Sequence, residues 1–264
     1  MYKKIIWPLI LVSASLLFLL FASGFVTSLV ISRSEEPEEA LTEEETPAFM
    51  EEPTDPSLPM EDISDILVLG DSLGAGVGDE EDLGFGQRYV NLVEQSTGEN
   101  LSLNNLSVPG YVSSELAEQI TSGTTDADIA QAQLIMISIG GNDLNPLYFE
   151  DEATMSLEFD GVLEAYLNDL TLILEEIRSL NPEAQLALIG LYNPYSSDDP
   201  DTARYLLEWN HQTRLVANTD PRIAYIPTYE FFQFNLETFL SFDRFHPSGA
   251  GYQSIAESIY KVLN

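Results

Sequence analysis

A serine in the run Gly70-Asp71-Ser72-Leu73-Gly74 and a histidine in Asp243-Arg244-Phe245-His246-Pro247 are the two side chains whose surroundings suit them to joint chemistry. A serine hydroxyl is a weak nucleophile until a base takes its proton. The chain has two histidines, His211 and His246, so few bases are available. His211 lies in Glu208-Trp209-Asn210-His211-Gln212, a helical pattern with Arg214 nearby, and reads as a solvated surface residue. His246 follows Asp243 by three positions. At that spacing a carboxylate can fold back onto the imidazole, fix its tautomer and stabilise the imidazolium formed during proton transfer. The same spacing also suits a cap or turn carboxylate. Thiol chemistry, disulfides and Cys-metal sites are excluded because the chain has no cysteine. The three lysines, Lys3, Lys4 and Lys261, leave no mid-chain Schiff base or phosphate clamp.

Attack by Ser72 on a carbonyl would create an oxyanion that needs donors aimed at it. Three candidates stand out: the backbone N–H of Ser72, the N–H of Gly110 in Ser107-Val108-Pro109-Gly110, and the side-chain amide of Asn142 in Gly140-Gly141-Asn142-Asp143. A glycine lets a backbone approach closely. Each of these residues alone could equally be an ordinary turn residue.

These segments need a scaffold that brings them together. Short apolar runs at 66–69, 101–108, 134–139, 186–191 and 223–226 predict strands. Helical patterns near 87–96, 113–121, 157–180, 202–217 and 248–263 lie between and after them, and Asn181-Pro182 stops the third. Alternating strands and helices predict a parallel sheet covered on both faces. Sites in such sheets form beyond the carboxyl ends of the strands. The segments holding Ser72, Gly110 and Asn142 follow the first three strands, and His246 precedes the last helix.

The rest of the chain bounds its partners. Ten Lys+Arg against 44 Asp+Glu give a net charge of −34, which disfavours nucleic acid, polyanions and anionic lipid surfaces. Such acidity fits a saline or alkaline exterior or a generic secreted surface. No charge occurs in the 27 residues from Ile5 to Ile31, and Lys3 and Lys4 precede them. That length crosses a hydrocarbon core of ~30 Å. The positive-inside rule leaves everything after it outside the cytoplasm. We therefore expect residues 1–33 to be a transmembrane anchor, with a cleaved signal peptide as the rival reading and a secreted domain as its consequence. Residues 34–62 hold twelve acidic residues, five prolines and no basic residue, which predicts an extended linker. The domain is expected over 63–264.

Four segments together resemble the GDSL/SGNH hydrolases: Gly70-Asp71-Ser72-Leu73, Gly110 in Asn105-Leu106-Ser107-Val108-Pro109-Gly110, Gly140-Gly141-Asn142-Asp143, and Asp243-Arg244-Phe245-His246. They occur in order from Ile66 to the C-terminus. The resemblance implies a flavodoxin-like α/β/α sandwich with five parallel strands, and Ser72, Asp243 and His246 as a catalytic triad. It implies an oxyanion hole of Ser72, Gly110 and Asn142, and ester hydrolysis without metal or organic cofactor. The overall arrangement is similar to anchored or secreted bacterial members. The substrate stays open: lipids, short acyl esters, thioesters and acetylated sugars all fit. Rivals are an O-acetyl esterase acting on cell-wall or extracellular polysaccharide and a non-catalytic relative using the same pocket for binding.

Nucleotide binding fits poorly. The glycines after the first strand lack the P-loop lysine, and Asp79 occupies the last glycine place of the dinucleotide pattern. The run Gly70–Gly74 satisfies the nucleophile-elbow pattern of α/β-hydrolases literally, but its place after the first strand and the Asp-x-x-His spacing argue against that fold. Six phenylalanines at 231, 232, 234, 239, 242 and 245 approach His246 and predict either an apolar wall for an acyl chain or core packing. Residues 145–155 and 192–201 are expected to rim the site.

Overall fold

The computed structural model describes residues 63–195 and 200–263. The expected anchor and linker lie outside them. Among the described residues no helix is long and apolar enough to cross a membrane.

Five parallel strands form one sheet in the order β2-β1-β3-β4-β5. They are β1 (Asp65–Gly70), β2 (Ser102–Asn105), β3 (Leu134–Ser138), β4 (Gln185–Ile189) and β5 (Ile223–Ile226). This is the flavodoxin-like order. Every residue of β3 and β4 is buried, as expected for strands covered on both faces. The two faces follow the period of two. Leu67, Leu69, Ile135, Ile137, Leu186 and Leu188 face one helical layer, formed by α2 (Ser113–Thr121), α3 (Asp126–Gln131), α5 (Glu152–Leu180) and α6 (Pro200–Ala217). Ile66, Val68, Leu134, Met136, Ala187 and Ile189 face the other, formed by α1 (Gly84–Thr97) and α9 (Gly249–Leu263). In α9 the residues Tyr252, Ile255, Ala256, Ile259 and Leu263 recur at helical spacing and are buried.

Register places the site. Gly70 pairs with Ser138, and Ser138 with Ile189, so β1, β3 and β4 end level with one another. The strand expected over 101–108 is formed only at Ser102–Asn105, because β2 is an edge strand with little to bury. Its hydrogen bonding nevertheless continues, with Leu106 N donating to Val68 O at 2.9 Å and Val108 N to Gly70 O at 2.8 Å. That extension carries the chain to Gly110 beside the end of β1. The long helix begins at Glu152 rather than near 157, because Asp151 caps it by accepting from Thr154 N at 2.9 Å. Three further four-residue helices, α4 (Gly141–Leu144), α7 (Tyr229–Phe232) and α8 (Leu236–Phe239), and a 3₁₀ turn at Asn145–Phe149 complete the described fold.

Candidate active site

The chain leaves β1 through Gly70, whose φ of 133° lies where only glycine is comfortable. A Cβ there would come within 1.9 Å of the Ser138 carbonyl oxygen, so no other residue lets β1 and β3 run this close at their ends. Asp71 follows, buried. Its Oδ1 accepts from Leu73 N at 3.0 Å and from Ser138 Oγ at 3.1 Å. Burial pushes its pKa up to about 6 against the opposing effect of those hydrogen bonds. Ser72 comes next, in a tight turn closed by Ala75 N to Asp71 O and Val77 N to Ser72 O, both at 3.0 Å.

His246 sits in a loop pinned by an antiparallel bridge between Leu240 and Pro247 and by Ser241 N donating to His246 O at 2.8 Å. Arg244, at the tip, has a φ of 58°, unusual for a residue with a side chain. This turn folds Asp243 back onto His246. One oxygen, Oδ2, lies 2.7 Å from His246 Nδ1. The other, Oδ1, accepts from Ser241 Oγ at 2.7 Å and from the backbone N–H groups of Phe245 and His246 at 2.9 Å. Partial burial works against ionisation of Asp243, but the hydrogen bonds from His246, Ser241 and the two N–H groups outweigh it and hold the carboxyl well below its ordinary range. On the far side of the ring, Nε2 lies 2.9 Å from Ser72 Oγ.

The segment after Ser72 is packed directly onto this loop. A Cβ on Gly78 would lie 2.8 Å from His246 Cβ. Tyr252 donates its hydroxyl to Val77 O at 2.8 Å, and the Gly249 N–H donates to Glu80 Oε2 at 2.8 Å. Asp79, buried, takes two hydrogen bonds from Arg88, at 3.0 and 2.8 Å, and two from the N–H groups of Glu81 and Gly84, at 3.0 and 2.9 Å. From behind, Tyr192 donates to the carbonyl of Phe245 at 2.7 Å, tying the end of β4 to the histidine loop. Sequence reasoning missed this bracing. Its one visible signal was Arg88, a rare cation in so acidic a chain.

Of the expected oxyanion donors, Asn142 and Ser72 line one cavity with His246. Asn142 Nδ2 donates to Tyr111 O at 2.8 Å, which joins the third segment to the second. Gly110, immediately before Tyr111, is exposed with a φ of 93°. The N–H groups of Ser72 and Gly110 donate to no group among the described residues. Asp143, next to Asn142, accepts from Ser113 N and Ser113 Oγ and so fixes α2 beside this loop.

His211 lies elsewhere, exposed on α6. The phenylalanines divide. Phe231, Phe232 and Phe239 pack on one another, with Phe232 stacked on Tyr192 at 4.2 Å, while Phe234 and Phe242 are exposed. Only Phe245 lines the cavity. Of the expected rim, Asn145 and Tyr148 from the first segment and Tyr192, Pro194 and Tyr195 from the second line the cavity, while residues 196–199 lie outside the described residues. The two segments are joined by Tyr195 donating to Asn145 Oδ1 at 2.5 Å.

Residues 68–254 match the model of the GDSL-like lipase/acylhydrolase family. The chain is 29% identical over 198 residues to the spore germination lipase LipC of Bacillus licheniformis, covering 72% of this chain and 92% of that protein. It is 26% identical to YpmR, an uncharacterised protein of Bacillus subtilis, over 75% of this chain and 80% of that one. Among solved structures it is similar to the lipase Lip_vut3 from a goat rumen metagenome, with a TM-score of 0.67, 27% identity, and coverage of 76% of this chain and 100% of that one. It also shares its fold with the acetylxylan esterase Axe2 of Geobacillus stearothermophilus, at a TM-score of 0.59, 19% identity, and coverage of 76% and 94%. A serine at the end of β1, a flavodoxin-like strand order and a family match spanning most of the chain lead to one conclusion: this protein belongs to the GDSL-like lipase/acylhydrolase family of ester hydrolases.

Proposed function

We propose that the protein hydrolyses carboxylic esters outside the cytoplasm through an acyl-enzyme, with Ser72 as nucleophile, His246 as base and Asp243 as the group that orients and stabilises the imidazole. The hydrogen-bonded chain Asp243–His246–Ser72 carries this reading. His246 Nε2 takes the Ser72 proton as Oγ attacks the ester carbonyl. The N–H groups of Ser72 and Gly110 and the amide of Asn142 serve as oxyanion donors. His246 passes the proton to the departing alkoxide. It then takes a proton from water, which attacks the acyl-enzyme, and returns that proton to Ser72 as the acid leaves. The uncharged stretch from Ile5 to Ile31 supports anchoring on the outer face of a membrane.

A second reading, an O-acetyl esterase acting on polysaccharide, is favoured by the aromatic rim, in which Phe149 packs edge-on against Tyr195 at 6.1 Å and Tyr195 against Phe245 at 6.3 Å. Such rings offer faces to a sugar. Release of acetate from acetylated xylan against release of fatty acid from a triglyceride separates the two. The test of the reading as a whole is hydrolysis of p-nitrophenyl acetate by the full-length chain and by Ser72→Ala. The expected outcome is turnover in the parent and a loss of ~10⁴-fold or more in the variant. Equal rates would remove Ser72 from the mechanism.

A further inference from the structure

The cavity beside Ser72 has a volume of ≈ 60 Å³. A cavity of ~150 Å³ holds the six carbons of benzene, about 25 Å³ for each, so this one holds roughly two to three carbons. Sites for larger organic ligands are typically ~300 Å³ or more.

Its lining differs in exposure. The side chain of His246 is 20% exposed and that of its partner Asp243 is 30% exposed. The leaving oxygen must take its proton from His246 Nε2, so the alcohol half of an ester has to lie beside this part-exposed ring. Leu73, Leu144 and Leu206 also line the cavity, all buried, and the last two belong to the core cluster that includes residues of α5 and α6. The half of the ester left for these buried apolar side chains is the acyl half. Leu191, half-buried, lines the cavity too, and its Cδ2 lies 3.8 Å from where a Cβ on Gly141 would stand, next to Asn142.

Resting on the esterase reading above, we propose that this small cavity is an acyl pocket walled by the buried Leu144 and Leu206, so that the enzyme is selective for esters of two- to four-carbon acids. Within the pocket each added methylene is buried, and beyond it the chain has to turn back toward solvent.

The experiment is kcat/KM of the full-length chain on p-nitrophenyl acetate, propionate, butyrate, hexanoate and octanoate. Burial of a methylene is worth about fourfold in transition-state binding, so the values should rise by about that factor per carbon up to butyrate and then level or fall. Leu206→Ala should move the break outward and raise the hexanoate-to-butyrate ratio about tenfold, and Leu191→Trp should lower the butyrate-to-acetate ratio by a similar factor. Because Leu191 is only half-buried, the second variant keeps the test in hand if the first does not fold. A rise continuing through octanoate, a flat series, or ratios unmoved in both folded variants would overturn the acyl pocket and leave the esterase reading standing. No turnover of any of the five esters would overturn both.

Discussion

Ser72 Oγ and His246 Nε2 lie 2.9 Å apart although 174 positions separate them in the chain. Two independent devices set that distance. Gly70 lets β1 end against β3, which fixes Ser72, and Gly78 lets its loop close onto the Cβ of His246 and the carbonyl of Pro247. The ion pair of Asp79 with Arg88 and the Tyr252 hydroxyl on Val77 then hold that loop against α1 and α9.

Asp243→Asn separates geometry from chemistry. An asparagine keeps an oxygen that can accept from Ser241 and from the two backbone N–H groups, so the loop should persist. Its amide nitrogen would now donate to Nδ1, which places the imidazole proton on Nε2 and removes the acceptor that Ser72 needs. The expected loss in kcat for ester hydrolysis is ~10⁴-fold in a protein that still melts cooperatively. A loss under about tenfold would count against the assigned tautomer. Linkage supplies a companion expectation. The folded-state pKa of Asp243 is lowered, so its contribution to stability is present above its unfolded value of about 3.9 and fades as pH falls below that.

Asn142→Ala removes one expected oxyanion donor. Such losses cost ~10²–10³ in kcat because the donor acts on charge that develops only in the transition state. KM should change little. A variant with unchanged kcat and a raised KM would assign Asn142 to substrate binding and to its tether on Tyr111 instead.

Asp71→Asn should stabilise the protein at neutral pH. The carboxyl ionises near pH 4 when unfolded and near 6 when folded, so between those values the folded state holds the extra proton. Stability therefore falls as pH rises through that window and stays lowered above it. Asparagine still accepts from Leu73 and Ser138 and carries no charge to bury. The expected gain is on the order of 1–3 kcal/mol above pH 6 and vanishes below pH 4. Thermal melts at pH 4 and pH 7.5 measure it. An equal effect at both would show that ionisation of Asp71 has no part in it.

How much of this was legible depended on burial and on chain distance. The runs that became β1, β3 and β4 were clear because central strands of a doubly covered sheet are apolar throughout. The edge strand β2 was overdrawn, since in Ser102-Leu103-Asn104-Asn105 only Leu103 has a face to bury. The helices at Tyr229–Phe232 and Leu236–Phe239 are a single turn each, too short to show a period. Asp243 and His246 were readable because only two residues separate them. The bond of Tyr192 to Phe245 and the convergence of Tyr148, Leu206 and Phe245 on one cavity were not, because each brings together segments that only the sheet makes neighbours. The phenylalanines near His246 offered a cavity wall or core packing, and both occur, but their shared position in sequence does not show the split between core, surface and cavity.

If His246 activates Ser72 for attack, Ser72 should be selectively labelled by a reagent that modifies activated serines. The full-length chain, His246→Ala and Ser72→Ala are each treated with a fluorophosphonate, which reacts with activated serines, and the adduct is located by peptide mass mapping. One adduct is expected, on the peptide carrying Ser72, strongly slowed in His246→Ala and absent from Ser72→Ala, with labelling and loss of esterase activity running in step. Loss of activity with the adduct on another residue, or rapid labelling of Ser72 without His246, would contradict it.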